Sequence, residues 1–82
     1  MKAIIHPRHP YEQLQLSVAL STPETLYYTL YDATGIRCCE GQTPSSTIHS
    51  IKIPVAELSP GPYFLQVDAA DNHCVKSFNV VH

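Results

Sequence analysis

The sequence is short of several features that particular protein classes need. Its 82 residues include no tryptophan, three glycines and one methionine, and only 15% of them carry a formal charge. Uncharged stretches such as 13–23 are interrupted by polar residues, so none reaches the roughly 20 apolar residues of a membrane helix. The net charge of −2 leaves no excess of cations for phosphates. We therefore expect neither a transmembrane span nor a nucleic-acid partner.

Cysteine is scarce as well, and its count is odd. Three cysteines exclude a closed framework of disulfides. Cys38 and Cys39 are adjacent, and adjacent residues of a strand point to opposite faces. We expect Cys38 and Cys74 to be buried, since free cysteine is often interior, and Cys39 to be exposed. An exposed Cys39 would form intermolecular disulfide dimers.

The first ten residues lack the pattern of an N-terminal export signal. Such a signal needs a basic start and an apolar run of about 7 to 15 residues. Residues 6–10 instead contain two histidines, two prolines and an arginine. Two alternatives stay open: the native protein remains in the cytoplasm, or the chain is a mature fragment whose signal and other domains lie elsewhere.

The sequence does contain a series of short β-strand patterns. Residues 13–20 and 25–32 alternate core-facing and outward-facing side chains with a period of two, as half-buried strands do. Proline and glycine predict turns at Pro23, at 32–35 and at 59–62, and a loop over 41–47. With the weaker patterns included, we predict strands over 3–6, 13–20, 25–32, 36–40, 48–53, 63–68 and 74–81.

Seven short strands at regular spacing are typical of an all-β, antiparallel immunoglobulin-like β-sandwich. The length suits a single domain over residues 1–82. The predicted core consists of Leu14, Leu16, Val18, Leu26, Tyr28, Leu30, Ile51, Ile53, Leu58, Tyr63, Leu65, Val67, Phe78 and Val80.

Three features from residue 28 onward resemble those of a known family. Residues 30–35, Leu-Tyr-Asp-Ala-Thr-Gly, contain a Tyr-Asp-x-x-Gly hairpin, and residues 58–63, Leu-Ser-Pro-Gly-Pro-Tyr, contain Leu-x-x-Gly-x-Tyr. A final strand bears Lys76, Phe78 and Val80. In this order the features resemble the C-terminal sorting domain of proteins that Bacteroidetes export by the type IX secretion system. The resemblance covers about residues 4–82.

The resemblance implies a non-catalytic module that the protein export machinery reads. The protein that carries such a module would be exported to the periplasm and then to the cell surface or the medium. The recognition residues that the resemblance implies are Gly61, Tyr63, Lys76 and Val80, and its turn motif contains Asp32 and Gly35.

Two alternatives stand beside this interpretation. By folding requirements alone, Gly61 provides a positive φ at a turn, Tyr63 and Val80 fill the core, and Lys76 is a solvated edge cation. The alternative function is a free-standing secreted immunoglobulin-like module that binds another protein or an unknown ligand.

Metal and catalytic chemistry have little support in the sequence. Zinc sites use paired ligands at short spacing, but the only close histidine pair is His6 and His9, and adjacent cysteines of a strand diverge. The Gly-x-Ser-x-Gly elbow and Gly-rich phosphate loops are absent. Spacing leaves open only a cysteine nucleophile beside His49 or His73. We expect no metal, no cofactor and no enzyme activity, with all five histidines at exposed or rim positions.

Several aromatic residues are expected outside the core. Tyr27, Tyr31 and Phe64 alternate with core residues, and Tyr11 lies in a loop. Exposed aromatics are enriched at interfaces, which favours a recognition patch. The alternative is that each aromatic covers a neighbouring strand through cross-strand pairing.

Overall fold

The computed structural model describes residues 1–81 as an all-β protein. Its five strands are β1 (Lys2–His6), β2 (Gln13–Asp32), β3 (Arg37–Pro54), β4 (Gly61–Ala69) and β5 (Asn72–Val80). All of them belong to one sheet in which paired strands run antiparallel. Within residues 1–81 there is no helix of the length and apolarity needed to cross a bilayer.

The prediction of seven strands is wrong because two pairs of predicted strands are continuous. The patterns at 13–20 and 25–32 both lie in β2, and the predicted loop 41–47 lies inside β3. Pro23, expected in a hairpin turn, sits within β2 at an irregularity in its ladder to β3, between Ala19 and Glu24. A proline is tolerated there because its missing N–H costs no ladder hydrogen bond.

The two long strands bend near this irregularity. The 20 residues of β2 would span about 66 Å if straight, whereas the longest dimension of the molecule is 37 Å. The first half of β2 pairs with β1 and the end of β3, and its second half pairs with the start of β3 and with β4. One sheet therefore folds over itself. The two separate sheets of an immunoglobulin-like sandwich are not shown.

The core lies inside the folded sheet and follows the predicted alternation. All predicted core residues are buried except Tyr28 and Leu58, which are partly buried against the same cluster. The core also contains residues that the pattern analysis left out, namely Ala3, Ile5, Val55 and Ala69. The predicted period of two is thus confirmed, although the strand count is not.

The segment after β1 adjoins the last strand. The N–H of Asn79 donates to the carbonyl oxygen of Arg8 at 3.0 Å, and the N–H of Val81 donates to that of Pro10 at 3.2 Å. Pro10 is fully buried. These contacts cover part of the β5 edge and fix the C-terminal end of β5 against the rest of the fold.

A buried histidine connects the two long strands at the bend. His49 is 4% exposed, so its expected rim position is wrong, whereas His6, His9 and His73 are exposed as predicted. The remaining histidine, His82, lies outside the described residues.

The partners of the His49 ring explain its burial. Its Nε2 lies 3.0 Å from the carbonyl oxygens of both Glu24 and Ser46, and its Nδ1 lies 2.5 Å from the hydroxyl oxygen of Thr43. Carbonyls only accept hydrogen bonds, so Nε2 carries a proton and donates to them, while Nδ1 is hydrogen-bonded to the Thr43 hydroxyl. Both nitrogens are engaged by partners other than cysteine.

Candidate recognition site

The first predicted turn motif forms a tight hairpin around Asp32. One carboxylate oxygen, Oδ1, accepts hydrogen bonds from the N–H of Thr34 at 2.9 Å, the hydroxyl of Thr34 at 2.6 Å and the N–H of Ile36 at 3.0 Å. Gly35 has a φ of 88°, in the left-handed region that favours glycine. These hydrogen bonds, led by that of the Thr34 hydroxyl, lower the pKa of the Asp32 carboxyl. The ionised carboxylate therefore holds the turn.

The second motif forms the turn into β4. Gly61 has a φ of 141°, and an added Cβ would meet no atom within 4 Å. Backbone conformation, not space, is thus what favours glycine there. The Tyr63 hydroxyl donates to the carbonyl oxygen of Ser59 at 2.6 Å, which ties the turn to the strand that follows it. Burial raises the pKa of this hydroxyl, so it remains a donor at neutral pH.

The two motifs meet at one end of the sheet. Asp32 pairs with Tyr63 in the register of β2 and β4. The two turns line a shared depression of about 210 Å³, bordered by Asp32, Thr34 and residues 60–63. We call this region, together with the end of β5, the motif end.

The end of β5 packs beneath the two turns. Gly61 pairs with Val80, and Tyr63 pairs with Phe78 in the register of β4 and β5. The rings of Tyr63 and Phe78 stack with centroids 5.9 Å apart. All three features of the family resemblance are therefore in direct contact.

The predicted site residues differ in accessibility. Tyr63 is 6% exposed and Val80 is 2% exposed, so both side chains lie in the core, as their folding roles predict. Lys76 lies on the edge strand β5. Lys76 is half-buried and pairs with Leu65, whose side chain is in the core. A lysine so placed packs its aliphatic stem along apolar neighbours and directs its ammonium to water.

The cysteines agree with prediction only in part, and Cys38 lies beside the first motif turn, where its thiol donates to the carbonyl oxygen of Ile36 at 3.7 Å. Cys39 is exposed, as expected, but Cys38 is exposed too, and only Cys74 is half-buried. Cys38 falls at a register shift of β3, between the pairs formed by its two neighbours. An irregular position of this kind lies outside the strict alternation on which the burial of Cys38 was predicted. Partial desolvation is the largest cause of the raised pKa of both exposed thiols.

The candidate metal and nucleophile pairings are not assembled by the fold. Across residues 1–81, no group of three or more His, Cys, Asp or Glu side chains is arranged to hold a metal ion. His49 is hydrogen-bonded at the bend, and each of the free cysteines lies elsewhere in the sheet.

The outward aromatics of β2 and β4 lie side by side. Tyr31 and Phe64 are directly opposite one another in the ladder, and Tyr27 is opposite Asp68. Tyr27 and Phe64 are exposed, while Tyr31 is half-buried. Cross-strand pairing thus covers part of Tyr31. Tyr11, in the loop after β1, is 62% exposed.

Comparison with known protein families gives a match over most of the chain. The secretion system C-terminal sorting domain family matches residues 10–81. No curated protein matches the chain. The matched range contains both turn motifs and all of β2 to β5, and it confirms the resemblance found in the sequence. Domains of this family are C-terminal signals for type IX secretion, which takes proteins through the periplasm to the cell surface or the medium. The chain belongs to the family of secretion system C-terminal sorting domains.

Proposed function

We propose that the secretion machinery reads the motif end as a folded unit and that the domain acts by binding alone, without catalysis. The observation that supports this proposal is the meeting of both turn motifs at one depression, with the end of β5 paired to the second turn. Residues far apart in the sequence are brought to one surface there. A receptor contacts the accessible ones together, while the buried ones support them from within.

The residues of the motif end divide into two roles. Tyr63 and Val80 are buried, so they act on recognition by shaping the turn and supporting it from within. Gly61 sets the direction in which the chain enters β4. The groups left accessible to a receptor are the polar and proline side chains of the turns, including Thr34, Pro60 and Pro62.

Charge gives the proposed surface a further means of selection. The Asp32 carboxylate is ionised at neutral pH because its hydrogen bonds favour that form. Lys76 lies on β5, two residues before Phe78. It provides a cation on the strand whose C-terminal end belongs to the motif end. We assign Lys76 to direct contact with a protein of the secretion machinery.

The experiment fuses residues 1–82 behind a signal peptide and a fluorescent passenger in a host that has the secretion system. Surface and secreted fluorescence are measured against the periplasmic fraction. We expect Gly61→Ala and Lys76→Ala to reduce delivery, whereas the charge-preserving Lys76→Arg retains it. Circular dichroism of each purified domain verifies that the variants are folded.

Two results would contradict the proposal. Normal delivery by folded Lys76→Ala and Gly61→Ala would show that the motif end is not what the machinery reads. Periplasmic retention of the folded parent fusion would instead favour the free-standing binding module.

A further inference from the structure

The outer face of the N-terminal half of the sheet carries a second depression, distinct from the motif end. It has a volume of about 280 Å³ and is lined by side chains of β1, β2 and β3. We call it the outer groove and define it by Lys2, Ile4, Ser17, Ala19, Ile48 and Ser50. Lys2 and Ile4 precede the range matched by the sorting-domain family.

The register of three strands explains the shape of the outer groove. Small side chains, Ser17 and Ala19, occupy the central strand and form its floor. On the flanking strands, Ile4 is 53% exposed and Ile48 is 67% exposed. Since these strands lie about 10 Å apart, the two isoleucines form walls with room for one large apolar side chain between them.

Cations lie at both ends of the outer groove. Lys2 pairs with Ala19 at one end, and two rows along the sheet Gln15 pairs with Lys52 at the other. The outward positions paired across these three strands hold no acidic residue, although the chain has a net charge of −2. This local excess of positive charge is complementary to an anionic partner.

The spacing of the cations specifies the partner further. Lys2 and Lys52 lie on the two flanking strands, and along the strand direction their rows are four residues apart, a separation of about 13 Å. In an extended peptide, the residue two positions before a central residue and the residue two positions after it are also about 13 Å apart. Both lie on the same face as the central residue. The groove would therefore match a five-residue pattern with acidic residues at the first and last positions and an apolar residue at the centre.

We propose that the outer groove binds an extended acidic segment of a partner protein. Its apolar side chain enters between Ile4 and Ile48, and its carboxylates pair with Lys2 and Lys52. A peptide is favoured over a lipid surface because the centre of the face is recessed. A recess accepts a protruding side chain, whereas membranes are contacted by apolar groups that protrude from the protein.

The probe is the acetylated and amidated peptide Glu-Thr-Phe-Thr-Glu, titrated into the ¹⁵N-labelled chain at low ionic strength. We expect saturable shifts of the amide signals of Ser17, Ala19 and Ile48. The matched peptide Gln-Thr-Phe-Thr-Gln should bind at least about fivefold more weakly, since two exposed ion pairs are lost. Added salt should weaken the acidic peptide selectively, because it screens exposed charges.

Substitutions separate the outer groove from the motif end. Ala19→Leu fills the floor with a side chain that points to solvent, so it should abolish binding without unfolding the domain. Lys2→Gln combined with Lys52→Gln should make the acidic and amide peptides bind alike. Lys76→Ala, which tests the motif end, should leave peptide binding unchanged.

Several outcomes would overturn the proposal. Shifts confined to residues outside the groove, or equal binding of both peptides by the parent, would refute the assigned partner chemistry. Absence of peptide binding together with lysine-dependent binding to phosphatidylglycerol vesicles would assign the groove to a lipid surface instead. Failure of sorting in the fusion experiment would leave this test unaffected.

Discussion

Replacement of His49 should destabilise the domain more than replacement of any other histidine that the structure describes. Its ring connects β2 to β3 at the bend, through the carbonyl oxygens of Glu24 and Ser46 and the hydroxyl of Thr43. Because the ring is buried and its partner residues are half-buried, water replaces the lost hydrogen bonds only in part. His49→Ala removes the hydrogen bonds and leaves a cavity, and His49→Phe removes the hydrogen bonds while retaining a ring.

The magnitude follows from the number of partners lost. A hydrogen bond contributes a net 0.5 to 1.5 kcal/mol or so, and a buried group left without a partner costs about 1 to 3 kcal/mol. Three partners therefore give a loss of roughly 2 to 4 kcal/mol in the free energy of unfolding for either His49 substitution. Since small domains have total stabilities of about 5 to 15 kcal/mol, this loss would be a large fraction of the whole.

Urea denaturation followed by far-ultraviolet circular dichroism measures this effect, and tyrosine fluorescence provides a second probe in a chain without tryptophan. The matched control is His73→Ala, because His73 is exposed and its loss should change stability by less than about 0.5 kcal/mol. If His49→Phe unfolds at the same urea concentration as the parent, the hydrogen bonds of His49 do not stabilise the bend and the reasoning is wrong.

Three further predictions concern the turn, the sheet and the thiols. Asp32→Asn should lower the urea midpoint at neutral pH. Since the folded-state pKa of Asp32 is depressed, this difference should begin to shrink as pH falls below the unfolded value of about 3.9 and should vanish once the pH is below the folded-state pKa. Gly41→Ala would force a Cβ into the Tyr28 ring and should cost about 1 to 3 kcal/mol. In a double-mutant cycle with Tyr28→Ala, most of that cost should disappear, and additive effects would contradict the contact. Because Cys38 and Cys39 are both exposed, disulfide dimers on non-reducing gels should persist in Cys39→Ser and vanish only when both are replaced.

The features that sequence predicts well here are those set by neighbouring residues. The hairpin at Asp32 and Gly35 needs one carboxylate and one residue with positive φ, all within a few positions. The turn at Gly61 is local in the same sense. The alternation of core residues along each strand also requires only a period of two, which is why nearly the whole core could be predicted.

The features that sequence misses depend on contacts between distant segments. Pro23 is typical of a turn, yet the strand continues past it because the ladder shifts register at that point. His49 belongs to an alternating strand, but its burial follows from the bend that brings Glu24 and Ser46 to its ring. The register shift that exposes Cys38 is equally invisible to a pattern analysis.

The candidate site illustrates the same division. The sequence motifs nominate Gly61, Tyr63 and Val80, but only the pairing of β2 with β4 places Asp32 beside them. The outer groove has no motif at all, because its walls and floor come from three strands with unremarkable sequences. The groove can be found only when the pairing register of β1, β2 and β3 is known.

The burial of the motif residues limits how recognition can work. A receptor cannot contact Tyr63 or Val80 while the domain is folded, because both side chains are inside the core. Their substitution would therefore act on sorting through the shape or the stability of the motif end. Lys76 is different, since it is half-exposed and its charge is not needed to fill the core. Loss of sorting in a Lys76 variant that retains the parent's stability would separate recognition from folding, which substitution of the buried residues cannot do.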